Sequence, residues 1–274
     1  MILAEPQRTA YDLNFQLLGF PVRIHPLFWI VGLVLGLGGG GEPDGFALLT
    51  WMMVLTVSIL IHELGHAIMF RRFGQSAHIV LYAMGGLAVP GDDSSHSPWT
   101  NYSSSYSSST FSRRSNSPME RILISFAGPA AGFIFAAFVI VGVFATGGRV
   151  MPKLGRFYLP TWEVTLGGVM EDNHNLWLLV MYLLYVNVWW GLVNLLPIFP
   201  LDGGQIAQQL FVVNDPWSGM VRCLWLSVFV AGGVAVIGLL AFQSTFMAIM
   251  FASLAASNYF TLQQLTGGGG RRPW

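Results

Sequence analysis

Residues 58–67 read Ser58-Ile59-Leu60-Ile61-His62-Glu63-Leu64-Gly65-His66-Ala67, and they lie inside an apolar run from 46 to 70 that decides the fold. As a helix rising about 1.5 Å per residue, that run is roughly 37 Å long, more than the ~30 Å hydrocarbon core of a bilayer. The HELGH motif therefore belongs in lipid. His62 and His66 are four positions apart, so both imidazoles leave one helical face one turn apart and can share a zinc ion. Glu63 stands beside them, placed to take a proton from a water that such an ion acidifies. Each ionisable side chain in the middle of a span costs roughly 2.5–3.5 kcal/mol on insertion scales, so three within five residues are hard to explain structurally. A metal and polar neighbours would offset that cost.

The composition agrees with a membrane setting. Hydrophobic residues make up 54% of the 274 and charged residues only 9%, a balance that identifies a polytopic membrane protein. Thirteen basic residues cancel thirteen acidic ones, and no segment concentrates Lys or Arg, so no nucleic-acid partner is expected. Cys223 is the sole cysteine. That excludes an intrachain disulfide and a cysteine-based metal site, leaving His and carboxylate as ligands. The first 26 residues lack a basic start followed by an apolar core and a small-residue cleavage site, so no removable signal peptide is expected.

Working outward from the motif, apolar segments are expected at about 27–37, 122–144 and from 176 onward. The long apolar stretch after Arg222 holds two more, broken near Gln243-Ser244. With the HELGH segment, these predict about six transmembrane helices in an all-α polytopic membrane protein, a single membrane-embedded domain over 1–274. Residues 38–45, with four consecutive glycines, predict a turn. In 74–90, Ile79, Leu81, Leu87 and Val89 alternate around Gly85-Gly86, which predicts a small membrane-associated β-hairpin. Residues 94–117 contain twelve serines and are expected to form a mobile loop, because few side chains there can be buried. With both termini cytoplasmic, ten of the thirteen basic residues fall inside, and only Arg149, Lys153 and Arg156 fall outside. The positive-inside rule favours that orientation.

A catalytic zinc site needs a third protein ligand and one open position. The stretch Asn194-Leu195-Leu196-Pro197-Ile198-Phe199-Pro200-Leu201-Asp202-Gly203-Gly204 offers Asp202. Its prolines and glycines should open a helix in or near the membrane, which is tolerated only where the backbone is buried in protein or lines a wet cavity. An aspartate before two glycines is commonly a turn residue; paired with an intramembrane HExxH, Asp202 is read as the third ligand.

Together, HELGH in an apolar helix and NLLPIFPLDGG downstream resemble the site-2 protease family of intramembrane zinc metalloproteases, over about residues 46–210. The resemblance implies a Zn2+ enzyme that cleaves membrane-spanning segments of other proteins in the lipid bilayer, commonly to release a regulator. His62, His66 and Asp202 match that family's zinc ligands, Glu63 its general base, and Asn194 the asparagine that steadies the substrate carbonyl or oxyanion. One departure concerns the third span, where many members carry GPxxN. This chain reads Gly128-Pro129-Ala130-Ala131-Gly132, better suited to close helix packing. No PDZ or CBS regulatory module is expected. A substrate helix hides its carbonyls in internal hydrogen bonds, so it must unwind; the hairpin at Gly85 and Gly86 is expected to bind it as an added strand. Two alternatives stay open. A prenyl-peptide processing metalloprotease would take a glutamate as third ligand, but Glu120, Glu163 and Glu171 sit in expected loops. A non-catalytic membrane scaffold or transporter could retain the fold, although an intact Glu63 argues against it. His25 and His78 lack ligand spacing, His96 and His174 lie in expected polar loops, and none of the four is assigned to a metal.

Overall fold

Asp44 caps the organising helix: its Oδ1 accepts the Phe46 N–H at 3.0 Å, satisfying one of the donors that a helix start leaves free. Helix α2 then runs Gly45–Arg72 and ends at Phe73, with Arg71 and Arg72 in its last turn, where positive charge suits the helix dipole. The computed structural model describes residues 6–37, 44–83, 85–91, 117–154, 160–168 and 172–267. The glycine turn at 38–43 and the serine-rich segment through residue 116 lie outside the described residues.

In chain order the elements are β1 (Leu13–Leu17), β2 (Phe20–Ile24), α1 (Pro26–Leu37), α2, β3 (Ala77–Tyr82), β4 (Gly85–Pro90), α3 (Pro118–Ala145), β5 (Arg149–Leu154), β6 (Pro160–Thr165), α4 (His174–Asn194), α5 (Asp202–Asn214), α6 (Gly219–Leu240) and α7 (Thr245–Gly267). Among the described residues five helices, α2, α3, α4, α6 and α7, are long and apolar enough to cross a membrane. Phe138, Phe229 and Leu240 on these helices are 69%, 70% and 74% exposed, an apolar surface that suits lipid and not water. The protein is integral to the membrane. The sixth span expected at 27–37 is a 12-residue helix, about 18 Å long and short of a bilayer's core. Pro26 starts it, and the residues upstream that could have lengthened it are taken by strand β2.

The chain divides into two compact units. The first takes in the described residues of 5–98 and 130–191. Its sheet is larger than the expected hairpin, with order β1-β2-β3-β4. The β3–β4 hairpin forms as expected, pairing Leu81 with Gly86 and Tyr82 with Gly85. The N-terminal lead-in forms a second hairpin and joins by parallel pairing of Val22 with Ile79 and Ile24 with Leu81. Val22, Ile79 and Leu81 are fully buried and pack with Val54 and Ile59 of α2 in one core. Arg71, at the end of α2, sits 4.4 Å over the Phe20 ring and donates to Leu18 O at 3.1 Å, tying the β1–β2 turn to the helix. A buried ion pair, Arg23 to Asp12 at 3.0 Å, ties β2 to the residue that leads into β1. Burial alone would raise the Asp12 carboxyl, but hydrogen bonds from Thr9 and Arg23 outweigh it and hold the group below its ordinary range. A second core joins α3, α4 and β6 through Ala136, Leu184 and Val164, beneath the β5–β6 hairpin that fills the expected polar loop.

The other unit takes in the described residues of 99–129 and 192–274. Here the segment before α5, together with α6 and α7, encloses a core of Ile198, Ala231, Phe251 and Leu254. The break expected near Gln243-Ser244 falls between α6 and α7, where Gln243 has φ +52°.

Candidate metal centre

The helical register of α2 does what the spacing demands. Nε2 of His62 lies 3.3 Å from Nε2 of His66, and the ligand atoms of His62, Glu63 and His66 all fall within 4.8 Å of one another. Two nitrogens at about 2.05 Å from a tetrahedral ion would stand about 3.3 Å apart. The donor set therefore fits zinc: two imidazoles, with a carboxylate beside them. All three side chains are buried, at 3%, 4% and 7% exposure for His62, Glu63 and His66, so a bound ion would be shielded from bulk solvent and its field little screened.

The β3–β4 hairpin closes on this group within the same unit. A methyl added at Gly86 would lie 2.3 Å from Cγ and 2.5 Å from Oε1 of Glu63; only a glycine lets the β4 backbone come so near the carboxylate. Gly85, at φ +111°, faces Trp190 instead, with a would-be methyl 2.5 Å from that ring. Sequence reasoning singled out both glycines for the hairpin but not this closeness to Glu63. It also missed Tyr82. That side chain is buried, and its hydroxyl has no hydrogen-bond partner among the described residues. Burial first, and the Glu63 charge second, push its phenol up to about 12.

A polar link sits one turn before His62. Asn187 of α4 donates from Nδ2 to Ser58 Oγ at 2.9 Å and to Leu183 O at 2.8 Å. Gly132 packs against the same residue, a methyl there lying 3.3 Å from Asn187 O. Gly132 is thus a point of close helix packing. Of the histidines assigned no metal, His25 accepts the Leu27 N–H on Nδ1 at 3.2 Å, and His174 stacks on Trp177 with centroids 5.8 Å apart.

Asn194 and Asp202 belong to the other unit. Asn194 ends α4 and Asp202 begins α5. The Asp202 carboxylate is buried, at 7% exposure, in the first turn of its helix, where negative charge suits the dipole.

Comparison with known proteins gives a consistent picture. The profile of Peptidase family M50 matches residues 50–236. Rip3 of Mycobacterium tuberculosis is 26% identical over 213 residues, covering 73% of this chain and 43% of that protein. A zinc metalloprotease of Methanocaldococcus jannaschii is 25% identical over 198 residues, covering 72% of this chain and 44% of that protein. The chain thus spans less than half the length of these relatives. The solved structure of the site-2 protease from Methanocaldococcus jannaschii matches with a TM-score of 0.50 at 21% identity, covering 93% of this chain and 94% of that one; the likeness is one of fold.

Proposed function

The chain belongs to Peptidase family M50, and on that premise we propose that it is a site-2 type zinc metalloendopeptidase. It hydrolyses a peptide bond within or near a membrane-spanning segment of another protein, as in regulated intramembrane proteolysis. The observation that carries this reading is the buried His62, Glu63 and His66 group on a helix long enough to cross a bilayer.

His62 and His66 would hold the zinc, with Asp202 as third protein ligand. The ion, when bound, supplies Lewis-acid polarisation of the scissile carbonyl and acidifies water toward a pKa of ~7. Glu63 accepts the proton of the attacking water and returns it to the leaving amine. Asn194 would donate a hydrogen bond to the carbonyl oxygen as charge develops there. The substrate helix must first unwind to expose that carbonyl. Strand β4 is outermost in its sheet, which supports its pairing with an unwound substrate at Gly85 and Gly86. The excess of basic residues in segments 8–23, 71–72 and 113–121 supports cytoplasmic termini. That orientation needs the short α1 to complete a sixth crossing.

The test compares cells bearing the wild type with cells bearing Glu63→Gln, by proteomics of membrane-protein fragments and zinc analysis of the purified chains. Fragments should accumulate only with the wild type, while both chains carry zinc. Fragments that persist unchanged with Glu63→Gln would refute the proposal. Zinc in both chains with no Glu63-dependent fragment would favour a non-catalytic scaffold.

A further inference from the structure

The segment between Asn194 and Asp202 leaves helical geometry within a largely apolar chain, so its backbone groups need partners from protein. Two come from side chains far along the sequence. Ser227 of α6 accepts the Phe199 N–H on Oγ at 2.8 Å and donates its own hydroxyl to Cys223 O at 2.9 Å. Asn258 of α7 donates from Nδ2 to Phe199 O at 2.6 Å and to Leu254 O at 2.8 Å. The two helices thus hold both polar backbone groups of one residue, three positions before Asp202. Ser227 is 0% exposed and Asn258 3%, so neither bond has water competing for it.

The chain between Phe199 and Asp202 has little slack to absorb a shift. Leu201 N–H donates to Ile198 O at 2.8 Å, and Gln205 Nε2 donates to Pro200 O at 3.1 Å. Gly203 and Gly204 press on the same turn from the other side. A methyl at Gly203 would lie 2.1 Å from Leu195 O, and one at Gly204 2.3 Å from the Phe199 nitrogen. Movement of Phe199 must therefore carry through to Asp202. Polar side chains in spans as apolar as α6 and α7 are themselves unfavourable, and here both meet the backbone of the segment that presents the carboxylate.

We propose that Ser227 and Asn258 are positioning residues of the metal centre, clamping Phe199 so that Asp202 is offered to the ion in one fixed place. This rests on the reading of Asp202 as a zinc ligand. Groups that orient a ligand without touching the metal typically set its affinity by about 10- to 100-fold.

The experiment is a zinc competition titration against a chromophoric chelator, on the purified full chain, with the thermal transition of each variant recorded. Ser227→Ala and Asn258→Leu are each made in the wild type and in an Asp202→Ala background. Asn258→Leu keeps the branching of the side chain while removing its amide donor, and it serves alone if Ser227→Ala does not fold. In the wild type, each substitution should weaken zinc binding by about 10- to 100-fold. In the Asp202→Ala background, where the clamp has no ligand left to place, the same substitutions should shift affinity less than about twofold. Wild-type affinity in the clamp variants, with Asp202→Ala weakened, would overturn this inference and leave the ligand reading standing. Equal weakening in both backgrounds would also overturn it, marking general loosening. Wild-type affinity in Asp202→Ala itself would remove the ligand reading and the clamp together.

Discussion

Replacing Gly86 by alanine should silence the chain while leaving its metal in place. The added methyl would lie 2.3 Å from Cγ, 2.6 Å from Cδ and 2.5 Å from Oε1 of Glu63. Non-bonded carbons settle near 3.5–4.0 Å, so Glu63 or the β4 backbone must move by about 1 Å or more. Glu63 is only 4% exposed and has no open solvent to swing into. Overpacking of this kind costs about 1–3 kcal/mol of stability. A catalytic group displaced by about 1 Å loses on the order of 100-fold in rate. His62 and His66 are not among the nearest atoms to the new methyl, so zinc content should be unchanged. The assay is cleavage of an identified membrane substrate in detergent, alongside zinc analysis and a thermal scan. Gly85→Ala is the companion variant: its methyl meets Trp190 at 2.5 Å on a φ of +111°, so its effect should appear mainly in stability. Gly86→Ala with near-wild-type turnover would refute the claim that this strand fixes the carboxylate.

Other outcomes follow from the same geometry. Stripping the metal with a chelator should abolish cleavage, and added zinc should restore it, as read by the same fragment assay. Asp12→Ala would remove the carboxylate 3.0 Å from Arg23 and, as the loss of a charge-assisted hydrogen bond, should cost about 1.5–3 kcal/mol in a denaturant titration. Because the folded state holds Asp12 below the unfolded value of 3.8, its contribution is present above that pH and disappears as pH falls through the lower folded value. Tyr82 runs the opposite way: with its phenol up at about 12 in the folded state, the unfolded chain releases this proton first, near pH ~10. Stability should therefore decline between about pH 10 and 12, and Tyr82→Phe should remove that part of the decline in thermal scans.

What could be read from the sequence was what depends on local spacing. Two histidines four apart in an apolar run specify one helical face whatever the rest of the chain does, and the structure puts their Nε2 atoms 3.3 Å apart. The β3–β4 hairpin was legible for a similar reason, since alternation around Gly85-Gly86 is a short-range signal. Strand β2 was not, because Val22 finds Ile79 by parallel pairing across a whole transmembrane helix, and Pro21 within the strand argues against it locally. Taking those residues into the sheet is also what shortened α1. Ser227 and Asn258 escaped notice because their partner Phe199 is 28 and 59 positions away. A usable signal did exist: a polar residue inside an otherwise apolar span needs a reason.

The most direct test of the account is zinc-edge X-ray absorption on the purified chain and on its His62→Ala and Asp202→Ala variants. The wild type should hold one zinc with two imidazole nitrogens and oxygen donors at about 2.0–2.2 Å, losing an imidazole in the first variant and an oxygen donor in the second. A wild-type chain without bound zinc, or a spectrum that neither substitution alters, would contradict it.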